Sequence, residues 1–406
     1  MHSQSWRGTV NADWNNASNW SAWPLNNANI VIDPVNYTGA AASPSIINAS
    51  VFIPNKILIQ NGASMLIQNN LTTNDNVDVV GTGTLLTIQG GTINIGLGTN
   101  GRLLADVGGQ LIIQNGTIDA GKSIAAGSGS TITMNNGILN NIPRVLVDLG
   151  GKFIFNNGTI IAGERLAMSD GDIAGSSNFQ MNGGNLTVNT QLSFINEFGN
   201  FTPSFTMAGG SLTVNGDVVW LGIAPGTGAP RFNITGGTTN INGNIFNTAG
   251  STVNMRMNIS GSGRVEFNGT LIETISSADS IQQINNTLFF INTTCSWLNA
   301  GVFAANNSKL TINGNIQLQG SGVYNFDDIQ INSNKTLHHV APYTINIGGD
   351  FINHGNFISN LNRVSFNGTD TQTIDGNSIT SFYYLMISNS SLIGVLVKKD
   401  IVVTGL

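Results

Sequence analysis

Four groups of residues in this chain of 406 have side chains able to do chemistry. Asp170-Gly171-Asp172 and Asp327-Asp328 are the closest carboxylate pairs. Paired carboxylates serve general acid/base work or hold a metal, the chemistry of polysaccharide hydrolases and lyases. Such sites also need Arg or Lys to stabilise developing charge. Here Lys and Arg total 15 and are scattered. Neighbouring strand residues face opposite ways, so Asp327 and Asp328 cannot converge from one strand. Both pairs read as turn or solvated residues. His338-His339 with His354 could supply metal ligands. Only one of the adjacent pair could join His354, for the same geometric reason. Cys295 is the only cysteine, in Thr294-Cys295-Ser296-Trp297. It excludes an internal disulfide framework and reads as a buried structural thiol. GxSxG, HExxH, P-loop and calcium-binding GGxGxD signatures are not found. The expectation is a chain that is not an enzyme and uses neither cofactor nor metal.

The elements that must position these residues are repeats. In Ser204–Gly222, Phe205, Met207, Leu212, Val214, Val218 and Trp220 alternate with polar residues, the period of a half-buried strand. Gly209-Gly210 interrupts the alternation as a turn. The unit recurs around Gly62, Gly91, Gly116, Gly137, Gly158, Gly184, Gly210 and Gly237, at intervals of 29, 25, 21, 21, 26, 26 and 27 residues. Five residues before these glycines stand Ile57, Leu86, Leu111, Ile132, Phe153, Phe179, Phe205 and Phe232. Three before stand Ile59, Ile88, Ile113, Met134, Phe155, Met181, Met207 and Ile234. In a chain that is 40% hydrophobic, chance would produce this roughly once in a million trials.

Short strands at a period of 20–30 residues predict an all-β parallel β-helix, or β-solenoid. Stacked coils would align Phe153, Phe179, Phe205 and Phe232 as an aromatic ladder, with Met181 and Met207 beside it. Residues 1–55 would form a Trp-rich N-terminal cap with lead-in strands, and 56–406 the solenoid. The stretch 272–300 lacks a clear glycine turn and reads as an irregular insert or a short helix. Around Met257–Phe267 the phase slips by one residue, which predicts a bulge. Ser64 and Thr239 break the apolar pattern after their glycines. About 14 coils at about 4.8 Å each would give a rod about 65 Å long.

Composition narrows the class. Charged residues are 9% and net charge is −6, with an isoelectric point near 5.0. No basic surface is available for nucleic acid, and no apolar run approaches a membrane span. Asn, Thr and Ser carry the polarity, which suits an extracellular, secreted protein. Met1–Gln4 has no apolar signal-peptide core. The abundant Asn-x-Ser/Thr sequons follow from asparagine content and carry no conclusion about N-glycans. Thr-x-Thr at Thr82/Thr84 and Thr131/Thr133 is not sustained as an ice-binding surface would need.

Both ends are candidate assembly surfaces. Trp6, Trp14, Trp20 and Trp23 fall within the first 23 residues. They read as a cap over the first coil or as an aromatic sugar-binding platform. The chain closes in strand-like alternation at Asp400–Leu406, so Val402 and Leu406 would sit on an open edge. That edge predicts end-to-end self-association or continuation in a longer chain.

The opening W-x-G followed by DWNNASNWS, and the closing VSFNGTDTQTIDGNSITSFYYLMISNSSLIGVLVKKDIVVTGL, resemble large secreted adhesins and matrix proteins of Bacteroidota exported by the type IX route. The resemblance covers about the first 35 and last 45 residues. It implies a non-enzymatic stalk, filament subunit or adhesin segment at a bacterial surface, with surface glycans as possible partners. Asp279-Ser280-Ile281 resembles an O-glycan acceptor motif of the same bacteria. The alternatives are a carbohydrate-binding or polysaccharide-degrading β-helix, and a phage or viral fibre.

Overall fold

The computed structural model describes residues 3–23, 26–39, 43–169, 175–196, 201–222, 228–340 and 343–405. It is a parallel β-solenoid of about 17 turns. The chain divides into two compact units, Met1–Thr206 and Met207–Leu406. Each is built from the same coil.

In the first unit, Val77–Val80, Leu85–Ile88 and Thr92–Ile95 make one coil of three short strands. The next coil repeats it as Arg102–Asp106, Gln110–Ile113 and Thr117–Ala120. Each strand pairs in parallel with its counterpart, so Leu86 lies beside Leu111 and Val79 beside Ala105. The second unit does the same with Arg256–Ile259, Arg264–Phe267 and Leu271–Thr274. Alternation sends every second side chain inward. All sixteen aligned apolar residues are fully buried. In the first unit Phe153, Phe179 and Phe205 form the expected ladder, with ring centroids 4.9 Å apart at each step. That spacing is the distance between paired strands, about 4.8 Å.

Corners need backbone that L-residues avoid. Gly184 has φ of +75°, and a Cβ there would sit 2.6 Å from the Phe155 ring and 2.8 Å from the Gly158 carbonyl oxygen. Only glycine fits such a corner.

Four expectations need correction. Ile57 pairs with Val77 and Ile30, whereas Leu86 pairs with Met65. The glycine alignment therefore sets the first repeat on the wrong strand of its coil, because all three strands share the apolar-x-apolar pattern. Ser64 is simply the outward neighbour of Met65. The stretch 272–300 is neither irregular nor helical: Ser280–Ile284, Leu288–Ile291 and Cys295–Asn299 pair in register with both neighbouring coils. Its corner uses Asn285 and Asn286, with φ of 62° and 63°, in place of glycine. Asparagine tolerates this region best after glycine.

The slip near Met257 is not a bulge either. Phe232 pairs with Met257 and Ile234 with Ile259, then Thr238 pairs with Arg264. The extra residue lies in the corner, 260–263 against 235–237. Finally, there are more turns than 14, because Asn29–Ile32 and Ser45–Ile46 already pair with coil strands Lys56–Gln60 and Ser64–Ile67. Thr239, the second break in the pattern, is buried and its hydroxyl lies 3.3 Å from the Met207 sulfur.

Candidate functional site

The carboxylates occupy coil corners, where backbone N–H groups leave the sheet ladder and need acceptors. Asp327 Oδ2 accepts the Ser308 N–H at 2.6 Å. Asp328 Oδ1 accepts the Asp350 N–H at 2.7 Å, and Asp350 Oδ1 accepts the Thr373 N–H at 2.7 Å. Each carboxylate thus ties its coil to a neighbour. Asp327, Asp328, Asp350 and Asp370 also line an open groove of about 740 Å³ with Asn306, Asn307, Asn367 and Thr369. Burial raises the Asp327 carboxyl above the usual range, and the charges of Asp328 and Asp350 add to this against N–H bonds from Ser308 and Asp328. Asp170 and Asp172 lie outside the described residues.

Asp279 is fully enclosed and works harder. Its Oδ1 accepts the Met255 N–H at 2.7 Å, and its Oδ2 accepts those of Ile275 at 2.9 Å and Ser276 at 3.0 Å. Asn247 Nδ2 lies 3.3 Å from both oxygens. Charge-assisted bonds of this kind are roughly twice as strong as neutral ones. Ser280 and Ile281 are buried too, so the resemblance to an O-glycan acceptor falls on residues that no transferase could reach in the folded coil.

Cys295 is buried, and burial pushes its thiol up to about 12. The thiol stays protonated and is no nucleophile at neutral pH. His338 and His339 point to opposite faces: His338 Nε2 lies 2.9 Å from Asn360 Nδ2, while His339 is fully buried. His354 sits at a corner, its backbone N–H on the Ile331 carbonyl. Among the described residues, no three His, Cys, Asp or Glu side chains stand together as metal ligands.

The tryptophans form an enclosed cluster. Trp6, Trp14 and Trp20 are buried. Trp20 meets Trp6 and Trp14 edge-on at 5.1 and 4.8 Å, and Trp14 stacks on Phe52 at 5.4 Å. Trp14 Nε1 donates to Ser50 Oγ and Trp20 Nε1 to the Trp14 carbonyl, both at 3.0 Å. Asn19, fully buried, organises the loop. Its Oδ1 accepts from the Val10 and Asn11 N–H groups, and its Nδ2 donates to Asn11 Oδ1 and the Asp13 carbonyl. Three of the four indoles are therefore spent on packing, and the platform reading does not suit them. Trp23 alone is part-exposed, edge-on to Phe52.

At the other candidate surface, Val395–Val397 and Ile401–Val403 are the outermost described strands of the second unit. Phe366, Ile374 and Phe382 are buried, but their register partners Ile387, Val397 and Val403 are 51%, 51% and 47% exposed. Val402 is 44% exposed. Leu406 lies outside the described residues.

Sequence reasoning missed the asparagine ladders. In the second unit Asn242 donates to Asn215 Oδ1 at 3.0 Å, Asn268 to Asn242 at 2.9 Å, Asn292 to Asn268 at 3.0 Å and Asn313 to Asn292 at 2.8 Å. Asn332 continues the row onto Asn313. A shorter row, Asn182 to Asn156 to Asn135, stands in the first unit. The available signal was an Asn directly after the last inward apolar residue of successive strands: Ile241-Asn242, Phe267-Asn268, Ile291-Asn292, Ile312-Asn313.

No family model, curated protein or solved structure matches the chain. Among the described residues, no helix is long and apolar enough to cross a membrane.

Proposed function

We propose that this chain is a non-enzymatic structural protein of an extracellular bacterial surface, acting as a stalk, filament subunit or adhesin segment. The observation that carries this reading is the use of its polar side chains. Asp279, Asp328, Asp350 and the asparagine row all bond from coil to coil. A chain that spends its carboxylates and amides on lateral cross-links gains resistance to shear between coils. The part-exposed Ile387, Val397 and Val403 suit end-to-end contact with a further coil of like cross-section. Electron microscopy of the native protein tests the reading. Rods or filaments are expected; compact particles with turnover of a polysaccharide would defeat it.

A second reading, carbohydrate binding, draws on the groove of about 740 Å³. Its Asp, Asn and Thr side chains offer both donors and acceptors to sugar hydroxyls. Screening acidic and neutral glycans against wild type and Asp370→Ala separates the two readings: saturable binding that the substitution removes favours the groove.

A further inference from the structure

Among the described residues, His339 is the one histidine sealed inside a coil. Its ring is fully buried, and neither Nδ1 nor Nε2 has a hydrogen-bond partner. In its column Leu318 precedes it by register, so an apolar side chain of similar size fits this kind of position. Ser359 is the inward residue of the following coil, its Oγ held by the Tyr383 N–H. On the same strand His338 faces the other way.

No counter-charge is at hand. Among the described residues buried between Gly301 and Gly405, none is Asp, Glu, Lys or Arg. Besides His339 itself, the ionisable group they include is Tyr324, whose hydroxyl lies 2.8 Å from the Trp297 and Gln319 carbonyl oxygens. Asp327, Asp328, Asp350, Asp375, Lys335 and Arg363 all keep solvent access. Burial pushes the His339 ring down to about 4, and His338 adds to this.

We infer that His339 is an acid-sensitive latch, whose protonation opens the coils between residues 336 and 382. A bare imidazolium in an apolar interior is costly, and hydration is its remedy. The sign follows from linkage. The unfolded ring titrates near 6.5 and the folded ring near 4, so the open state binds the proton more tightly. Protection is full above the higher value and is lost as pH falls toward the lower one.

Hydrogen exchange of the whole chain at about pH 7.5 and about pH 4.5, corrected for intrinsic rates, tests this. In wild type, protection of 336–366 should fall by more than about tenfold relative to 256–299. His339→Leu should match or exceed wild type at the higher pH and lose less than about twofold at the lower. His338→Gln should keep most of the wild-type loss, because burial is the larger cause of the His339 shift and the His338 charge the smaller. Equal losses in wild type and His339→Leu, or no loss in wild type, overturn the inference. If His339→Leu does not fold, the imidazole resonances of wild type decide: a His339 ring that titrates near the usual 6.5 with its coil closed defeats the latch.

Discussion

The rings of Phe179 and Phe205 lie 4.9 Å apart and 6° from parallel. The sheet imposes that geometry, since the strands carrying them are one ladder spacing apart. Phe179 has Phe153 on its other side at the same distance. Truncating the middle ring removes contacts on two faces. Phe179→Ala should cost about 3–5 kcal/mol, read by denaturant unfolding. Exchange protection should fall in 152–155 and 204–207 together.

Asp279 should be the least replaceable carboxylate. Asp279→Ala leaves the Met255, Ile275 and Ser276 N–H groups unpaired inside the protein. A loss of about 3–5 kcal/mol is expected. Asp370→Ala, at the groove, should stay within about 0.5 kcal/mol. Equal effects of the two substitutions on the thermal midpoint would count against this ranking.

The asparagine row makes a charge-specific prediction. Asn292 Nδ2 donates to Asn268 and also to Glu266 Oε2 at 2.9 Å. Asn292→Asp replaces that donor with a carboxylate facing an oxygen and a second carboxylate. It should destabilise by about 1–3 kcal/mol, more than Asn292→Ala does. The gap should narrow in acid as the new carboxyl protonates.

Two glycines with similar φ should respond differently. Gly62 has φ of +81° with open space where a Cβ would project, whereas at Gly184 the Phe155 ring and the Gly158 backbone stand within 2.9 Å of that position. Gly62→Ala should cost about 1 kcal/mol from backbone strain alone. Gly184→Ala adds a clash with backbone and should cost at least about 3 kcal/mol. Chemical denaturation of the pair checks it.

Asp33 sets an acid limit for the coils near the tryptophan cluster. Burial pulls its carboxyl upward, but hydrogen bonds from Gln60, the Val35 N–H and Asn61 outweigh that and hold it below 3.8. The folded state therefore favours the ionised form. Its contribution is present above 3.8 and is lost as pH falls below that value. Asp33→Asn should abolish this part of the acid dependence, seen as exchange in 56–60.

The coil and its core were legible because strand alternation and a repeating turn are both properties of neighbouring residues. Phe153, Phe179 and Phe205 could be placed together from phase alone. Ile57 could not, because three strands per coil share one pattern and only pairing distinguishes them. Asn285-Asn286 hid a corner, since left-handed backbone is glycine's habit more than asparagine's. The roles of Asp279 and Asn292 stayed out of sight for a different reason. Their partners lie 24 and 24 residues back, at Met255 and Asn268, and the distance between coils varies from corner to corner. The half-covered Ile387 and the sealed ring of His339 likewise depend on which coil lies above and below.

The asparagine row from 215 to 332 also has a direction. Asn242, Asn268, Asn292 and Asn313 each present nitrogen toward the earlier coil and oxygen toward the later one. Amide dipoles of about 3.5 D aligned head to tail sum and polarise one another, as they do along a helix. The negative pole of this side-chain wire falls at Asn332. There Gln330 Nε2 donates to Asn332 Oδ1 at 2.6 Å, and Gln330 Oε1 in turn accepts from Lys309 Nζ at 2.6 Å. One ammonium group thus terminates a row of neutral amides, and the electrical polarity of the stack is fixed by side chains as well as by backbone.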